Sequence, residues 1–253
     1  MSAFHYEKDA DGIVTVTMDM TGPVNAMNDE YRAAMQAAVE RLEQEEGLTG
    51  VVIASAKKVF LAGGDLRDLL QVEKGQQEQF FAELQATKGV MRRLEKLPVP
   101  VAAAINGAAL GGGFELCLCC NYRIAWDNPA VQIGLPEVSL GLLPGGGGIV
   151  RMVNLLGLEQ ALPYLLEGTR VEPSAALAQG MIHAVVDEAE QLVPQAKAWI
   201  VRHRDDEQAA VQPWDRKGHR IPGGDANSPK VAQLLMVAPA ALRQKTRGLL
   251  PAP

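Results

Sequence analysis

Hydrophobic and polar positions alternate over residues 13–20 (IVTVTMDM), with Val14, Val16 and Met18 set against Thr15, Thr17 and Asp19, which predicts a half-buried β-strand. Gly22-Pro23 then marks a turn. Beyond it the period lengthens: Tyr31, Ala34, Met35, Ala38, Val39 and Leu42 recur at helical spacing, Asn28 stands at the N-cap, Asp29 and Glu30 fall in the first turn, and Gly47 supplies the stop. Two short apolar runs, Gly50–Ser55 and residues 99–105, have the composition of strands buried on both faces. Between them, residues 76–97 carry a helical stripe (Phe80, Phe81, Leu84, Val90, Met91, Leu94) that Gly89 is expected to interrupt. Further on, a helix is expected from about Gly113, a strand over Tyr122–Trp126, and helices over 146–156 and 158–167. A short helix runs from Pro173 to Gly180, a strand over 181–186 and a helix over Leu192–His203. Strands alternating with helices predict an α/β fold.

The remainder differs in character. Residues 204–230 are polar and punctuated by Pro213, Pro222, Gly223-Gly224 and Pro229, the composition of a loop or linker. An apolar patch over 231–242, interrupted by Pro239, precedes Pro251-Ala252-Pro253, an ending that reads as a chain cut before a further domain. The division expected is a body over 1–203 and a linker with a helical tail over 204–253.

The length of 253 residues suits one large core, and 47% hydrophobic with 21% charged residues is ordinary globular composition. A net charge of -6 opposes general nucleic-acid binding, which needs clustered cations, yet Lys57-Lys58 or Arg92-Arg93 can still draw the phosphates of a small anion or simply be solvated. Cys117, Cys119 and Cys120 lie too close together for a disulfide framework and at offsets that point no three sulfurs at one metal. Buried thiols in a reducing compartment fit them. No basic segment leads an apolar run at the N-terminus, and no stretch reaches the ~20 apolar residues of a membrane span, so a cytoplasmic protein is expected.

Three stretches can carry chemistry. In VFLAGGDL, residues 59–66, two successive glycines leave amide groups unblocked by side chains, suited to an oxyanion or to a tight turn closed by Asp65. In NGAALGGGFELCLCC, residues 106–120, a three-glycine run leads from a buried strand into a helix. The Gly112 N–H then has no acceptor within the helix and stands at the positive end of its dipole, suited to developing negative charge. Glu115 falls in that first turn, where it either complements the dipole or, flanked by Phe114 and Leu116, is buried with its pKa pushed upward. In IGLPEVSLGLLPGGGGIVRM, residues 133–152, Glu137 is the lone charge between Asp127 and Arg151, which is hard to explain as solvation unless local backbone amides hold it. Pro144 and the glycines after it give a second set of helix N-terminal amides, suited to an anion or to close packing. Neither glycine run has the spacing of a dinucleotide or P-loop motif. No G-x-S-x-G elbow occurs, and His5, His183, His203 and His219 are scattered, so hydrolase and zinc chemistry lack support.

In this order, LAGGDL, NGAALGGGFEL and GLPEVSLGLLPGGGG resemble the crotonase (enoyl-CoA hydratase/isomerase) superfamily, and the likeness runs from about Ile13 to Val186, with PVNAMN at residues 23–28 similar to the family's early coenzyme A loop. The resemblance implies a crotonase-like spiral of ββα units with a helical C-terminal region. It implies coenzyme A lying across Ala26, Met27, Ala62, Asp65 and Leu66, with Lys58 near its phosphates. It gives Gly64 and Gly112 as oxyanion amides, Glu115 as the residue that activates water and Glu137 as the one that protonates the α-carbon. The expected activity is reversible hydration of 2-enoyl-CoA in fatty-acid β-oxidation. Alternatives are Δ3-Δ2 enoyl-CoA isomerase and a noncatalytic acyl-CoA-binding domain. No prosthetic group, metal, nucleic acid or membrane span is expected. The family suggests a homotrimer, whereas residues 204–253 (with QPWDRKGHRIPGG) resemble the hydratase half of multifunctional β-oxidation proteins, whose dehydrogenase part is absent from this chain. Gly64 stands where the family often has alanine, and an insertion around Asp127-Asn128-Pro129 lengthens the segment between the glutamates; neither removes a functional group.

Overall fold

The structure, a computed structural model, describes residues 3–245. Its strands are β1 (Phe4–Lys8), β2 (Ile13–Met18), β3 (Gly50–Ser55), β4 (Val101–Ile105), β5 (Ala109–Leu110), β6 (Tyr122–Trp126), β7 (Ile133–Gly134), β8 (Arg170–Val171) and β9 (Ala184–Val186). The helices are α1 (Asp29–Gln44), α2 (Leu66–Leu70), α3 (Gln77–Glu95), α4 (Gly112–Cys119), α5 (Gly148–Leu156), α6 (Leu158–Leu166), α7 (Pro173–Ala178), α8 (Leu192–His203) and α9 (Pro229–Lys245). A six-stranded sheet has the order β1-β2-β3-β4-β6-β9, antiparallel at the β1/β2 edge and parallel elsewhere. The spiral α/β architecture expected from the sequence is the one observed.

The strand over 13–18 corrects one expectation. It is not half-buried: Val14, Val16 and Met18 face the main core with Tyr31, Met35 and Val39 of α1, while Ile13 on the other face packs with Ile200 of α8. Thr15 is buried as well. The alternation read as inside against outside because threonine, polar by type, is β-branched and fits a covered sheet. A side chain at Gly50 would collide with Ile200, so α8 lies directly on the sheet there. Strand β1 gave no signal because only Phe4 of FHYEK is buried; a charged edge strand protects the sheet from further pairing.

Gly89 does not break α3, which runs unbroken from Gln77 to Glu95. It is exposed, with open space where a Cβ would stand. Gly89→Ala is therefore expected to raise stability by about 0.5–1 kcal/mol, a rise in Tm of roughly 1–4 °C by calorimetry. Helix α9 likewise continues through Pro239 rather than ending there, and Pro251-Ala252-Pro253 lies outside the described residues.

Residues 204–228 carry little regular structure, as their composition predicts, but they pack on the body. Gln212 is buried and donates from Nε2 to the Cys119 carbonyl at 2.8 Å, and a short 3-10 turn over Pro213–Asp215 follows it.

The second sheet decides where the site lies. It pairs β5 in parallel with β7 and β7 antiparallel with β8. Each strand has two residues, too few for any periodicity to announce it. The sheet sets two of the glycine-bearing stretches side by side, and an isolated bridge from Leu61 to Ala109 brings the third against them.

Candidate active site

The assembly starts from backbone. Leu61 pairs with Ala109, its N–H donating to the Ala108 carbonyl at 3.2 Å, and Leu110 N–H donates back to the Leu61 carbonyl at 3.3 Å. Gly111 N–H reaches the Gly134 carbonyl at 2.9 Å, which sets the stretch preceding Glu137 alongside. On the other side Met27 N–H donates to the Gly63 carbonyl at 2.7 Å, and Ala62 N–H to the Asn25 carbonyl at 2.9 Å. Asn25 is fully buried and its side chain bridges Met20 N–H, Ser55 Oγ and the Phe60 carbonyl. No sequence pattern singled it out, yet it fixes the early loop against the 61–65 loop.

Two amides are left over. The bridge between Met27 and Gly64 uses the Gly63 carbonyl and the Asp65 N–H, so the Gly64 N–H takes no part in it. Gly112 opens α4 and has no helical acceptor behind it. Neither N–H donates to any acceptor among the described residues. They are neighbours: a Cβ placed on Gly63 would lie 3.4 Å from the Gly112 nitrogen. Two amides from separate loops, both without an acceptor among the described residues, thus lie on the wall of one cavity, which is unusual for backbone in a folded interior.

Both glutamates reach the same cavity, a space of about 530 Å³ whose wall includes Gly64, Gly112, Glu115 and Glu137. Glu115 is 3% exposed on the wholly buried α4. Its Oε1 accepts the Gly148 N–H at 2.7 Å, so the anion suited to the second glycine-rich helix start is a carboxylate of this chain. Burial raises the Glu115 pKa, while the amides of Gly148 and Gly146 and the charges of Arg151 and Lys88 pull it back.

Glu137 follows β7 and starts a single 3-10 turn over Glu137–Leu140. Its Oε2 is buried without a hydrogen-bond partner among the described residues. The alternative reading, a carboxylate held by local backbone amides, accounts for Glu137 only in part, since its own amide alone contributes. Burial pushes its pKa up to about 7; its own amide opposes the rise and the charge of Glu115 adds to it. Gly111, at φ +54°, makes room: a Cβ there would lie 2.8 Å from Glu137 Oε1. Two carboxyl groups thus differ by environment: Glu115 is fully buried and held by amides, while Glu137 is half-buried with its Oε2 lacking a protein partner among the described residues.

Met27, Ala62, Asp65 and Leu66 also line the cavity, whereas Ala26 and Lys58 do not. The Asp65 carboxylate is held by Arg67 at 2.8 Å, which lowers its pKa. Sequence reasoning did not bring together Val72, Phe80, Leu84, Leu140 and Leu143 as an apolar part of the cavity wall, because these residues come from three separate segments. Among the described residues no helix is long and apolar enough to cross a membrane.

Comparison with known proteins bears on this site. The family model described as enoyl-CoA hydratase/isomerase matches residues 8–217. A fatty acid oxidation complex subunit alpha from Idiomarina loihiensis is 39% identical over 191 residues, 74% of this chain, but the chain spans only 26% of that relative. An enoyl-CoA hydratase structure from Bacillus anthracis superposes with a TM-score of 0.72 at 28% identity, covering 79% of this chain and 76% of that one. An enoyl-CoA hydratase structure from Mycobacterium smegmatis gives a TM-score of 0.74 over 97% of this chain and 95% of that one; at 23% identity it speaks for the fold alone.

Proposed function

From the premise that this chain belongs to the enoyl-CoA hydratase/isomerase superfamily, we propose that it is an enoyl-CoA hydratase, adding water reversibly to 2-enoyl-CoA thioesters in fatty-acid β-oxidation. The observation that carries the reading is the pairing of two carboxyl groups with two unpaired amides on one cavity. A single-base isomerisation would leave Glu115, buried and held by the Gly148 amide, without a task.

The chemistry follows from the two environments. Glu115, held in place by the Gly148 N–H on its Oε1, orients a water and removes its proton as the oxygen bonds to the β-carbon. The electron pair of the α,β double bond moves onto the thioester oxygen, where the Gly64 and Gly112 N–H groups receive the growing charge. Glu137, able to hold a proton near neutrality, delivers it to the α-carbon as the carbonyl reforms. One proton then sits on Glu115 instead of Glu137, and its return resets the pair. The thioester's coenzyme A lies along Ala26, Met27, Ala62, Asp65 and Leu66 with phosphates toward Lys58, and the acyl tail lies among Phe80, Leu84 and Leu140. The buried free thiols support a reducing compartment, and we place the enzyme in the cytoplasm.

Loss of the conjugated thioester's ultraviolet absorbance tests this directly, with substrates from crotonyl to decenoyl; no turnover of any of them sinks the reading. The active form carries one proton on the pair, so kcat/KM is expected to be bell-shaped, with its alkaline limb near the Glu137 value of about 7. Hydration consumes no net proton, so the dehydration profile must have the same limbs. A flat profile between pH 6 and 8, roughly one unit either side, contradicts the assignment.

A further inference from the structure

Arg151, on α5, is 8% exposed, and three of its nitrogens are committed. Nε and Nη2 form a fork on Glu95, at 2.8 Å to Oε1 and 2.8 Å to Oε2, and Nη1 donates to the Gly146 carbonyl at 2.9 Å. That carbonyl belongs to the glycine turn whose Gly148 N–H holds Glu115. Glu95, itself 2% exposed on α3, also accepts from Arg92 Nη1 at 2.6 Å. Arg92 in turn forks onto Asp215 at 2.9 and 2.6 Å. The row of charges ends in the segment 204–228, whose Gln212 is anchored on the carbonyl of Cys119 at the end of α4. A planar guanidinium fits this arrangement, since one ammonium cannot fork onto a carboxylate and hold a carbonyl together.

We infer that Arg151 is a positioning residue for Glu115, and that the relay Asp215, Arg92, Glu95, Arg151 makes the geometry of the catalytic glycine turn depend on the docking of residues 204–228. Its activity readout rests on the hydratase reading; its geometric readout does not. The turn at 145–148 has no side chains of its own to hold its shape, so its amides keep their aim only if something fixes its carbonyls. Arg151 does this at Gly146. The segment 204–228 is thereby part of the site although none of it lines the cavity.

Other groups facing Glu115 must be kept in view when its protonation is read: Lys88 on α3, Tyr31 on α1, Cys119 on its own helix and Glu137 across the cavity all interact with it electrostatically. Of these, Cys119 also feels the Arg151 charge, and losing that charge pushes its buried thiol further toward the neutral form. Arg151→Met removes both the charge and the fork, so kcat is expected to fall about 10²-fold with KM little changed, because a displaced base costs rate more than binding. The acid limb of the pH profile moves to higher pH as Glu115 loses a cation. Arg151→Lys keeps the charge, so its acid limb stays in place and part of kcat returns. Asp215→Asn, at the far end of the relay, is expected to lower kcat by roughly 3- to 30-fold.

The experiment uses the full chain, with circular dichroism to verify folding of each variant. A folded Arg151→Met with wild-type kcat and acid limb overturns the positioning role; should that variant not fold, an Arg151→Lys with unchanged kcat does so. An Asp215→Asn with unchanged kcat overturns the dependence on residues 204–228. If the wild-type chain itself turns over no enoyl-CoA, the hydratase reading fails, and amide exchange by nuclear magnetic resonance decides the inference. Gly148 N–H is expected to exchange faster in Asp215→Asn and in Arg151→Lys than in wild type; equal rates overturn it.

Discussion

Glu137→Gln is expected to lower hydration turnover by about 10²- to 10⁴-fold while thioester affinity changes little, because the amide fills the same space but has no acidic proton to give the α-carbon. Stopped-flow turnover and equilibrium binding of a saturated acyl-CoA separate the two effects. The alkaline limb near pH 7 is lost with the carboxyl. Stability should move the other way. In the folded state the Glu137 pKa stands at about 7 against an ordinary 4.5, so the fold holds a proton that the unfolded chain has released between those values. Stability contributed by this group is therefore full below 4.5 and declines as pH rises through 7. Glutamine has no such decline, and at pH 8 the variant should be more stable by about 1–2 kcal/mol once the partial solvent access of this side chain is allowed for. A variant both slower and more stable at pH 8, but not at pH 4, would mark a carboxyl held in an unfavourable place for its chemistry.

A comparable loss is expected at Gly64, where the change is to backbone. Gly64→Ala keeps the N–H, and its Cβ meets nothing within 4 Å, so only a small loss of activity is expected. Gly64→Pro removes the N–H. The hydrogen bonds between this loop and Met27 use the Gly63 carbonyl and the Asp65 N–H, so losing the Gly64 N–H breaks neither of them; circular dichroism and Tm check that the variant folds as the alanine one does. Turnover should fall by about 10²- to 10³-fold relative to alanine, the ~3 kcal/mol that one oxyanion donor contributes. The ratio between proline and alanine variants isolates the donor from the effect of any added side chain. Equal activities would mean that the amide receives no charge during the reaction.

Much of this was legible in the chain, for physical reasons that differ from element to element. Helix α1 announced itself through its apolar stripe and the Asn28 cap, and the cap bond to Tyr31 N–H is present at 3.0 Å. The runs Gly50–Ser55 and Tyr122–Trp126 were read with their observed limits; Gly50–Ser55 is almost wholly apolar, as a strand covered on both faces requires, whereas Tyr122–Trp126 takes the buried Arg123 into the sheet as well. Glu115 and Glu137 stood out as acids in apolar company, and both face one cavity. What was not legible is what distance in sequence conceals. The two-residue strands β5, β7 and β8 are defined by their partners, not by their own residues. Arg151 looked like the first charge after an apolar stretch, with nothing in its neighbourhood to indicate Glu95. Residues 204–230 read as linker because the stretch is polar and punctuated by prolines and glycines, while its docking uses two side chains, Gln212 and Asp215.

The proposal that these donors and acids surround one reacting carbonyl is tested most directly by a crystal structure of the chain with a nonreactive enoyl thioester analogue of coenzyme A. The expected result is a thioester oxygen about 3 Å from both the Gly64 and Gly112 nitrogens, with Glu115 and Glu137 flanking the α- and β-carbons. An oxygen bound elsewhere, or either amide turned to a partner within the protein, would contradict it.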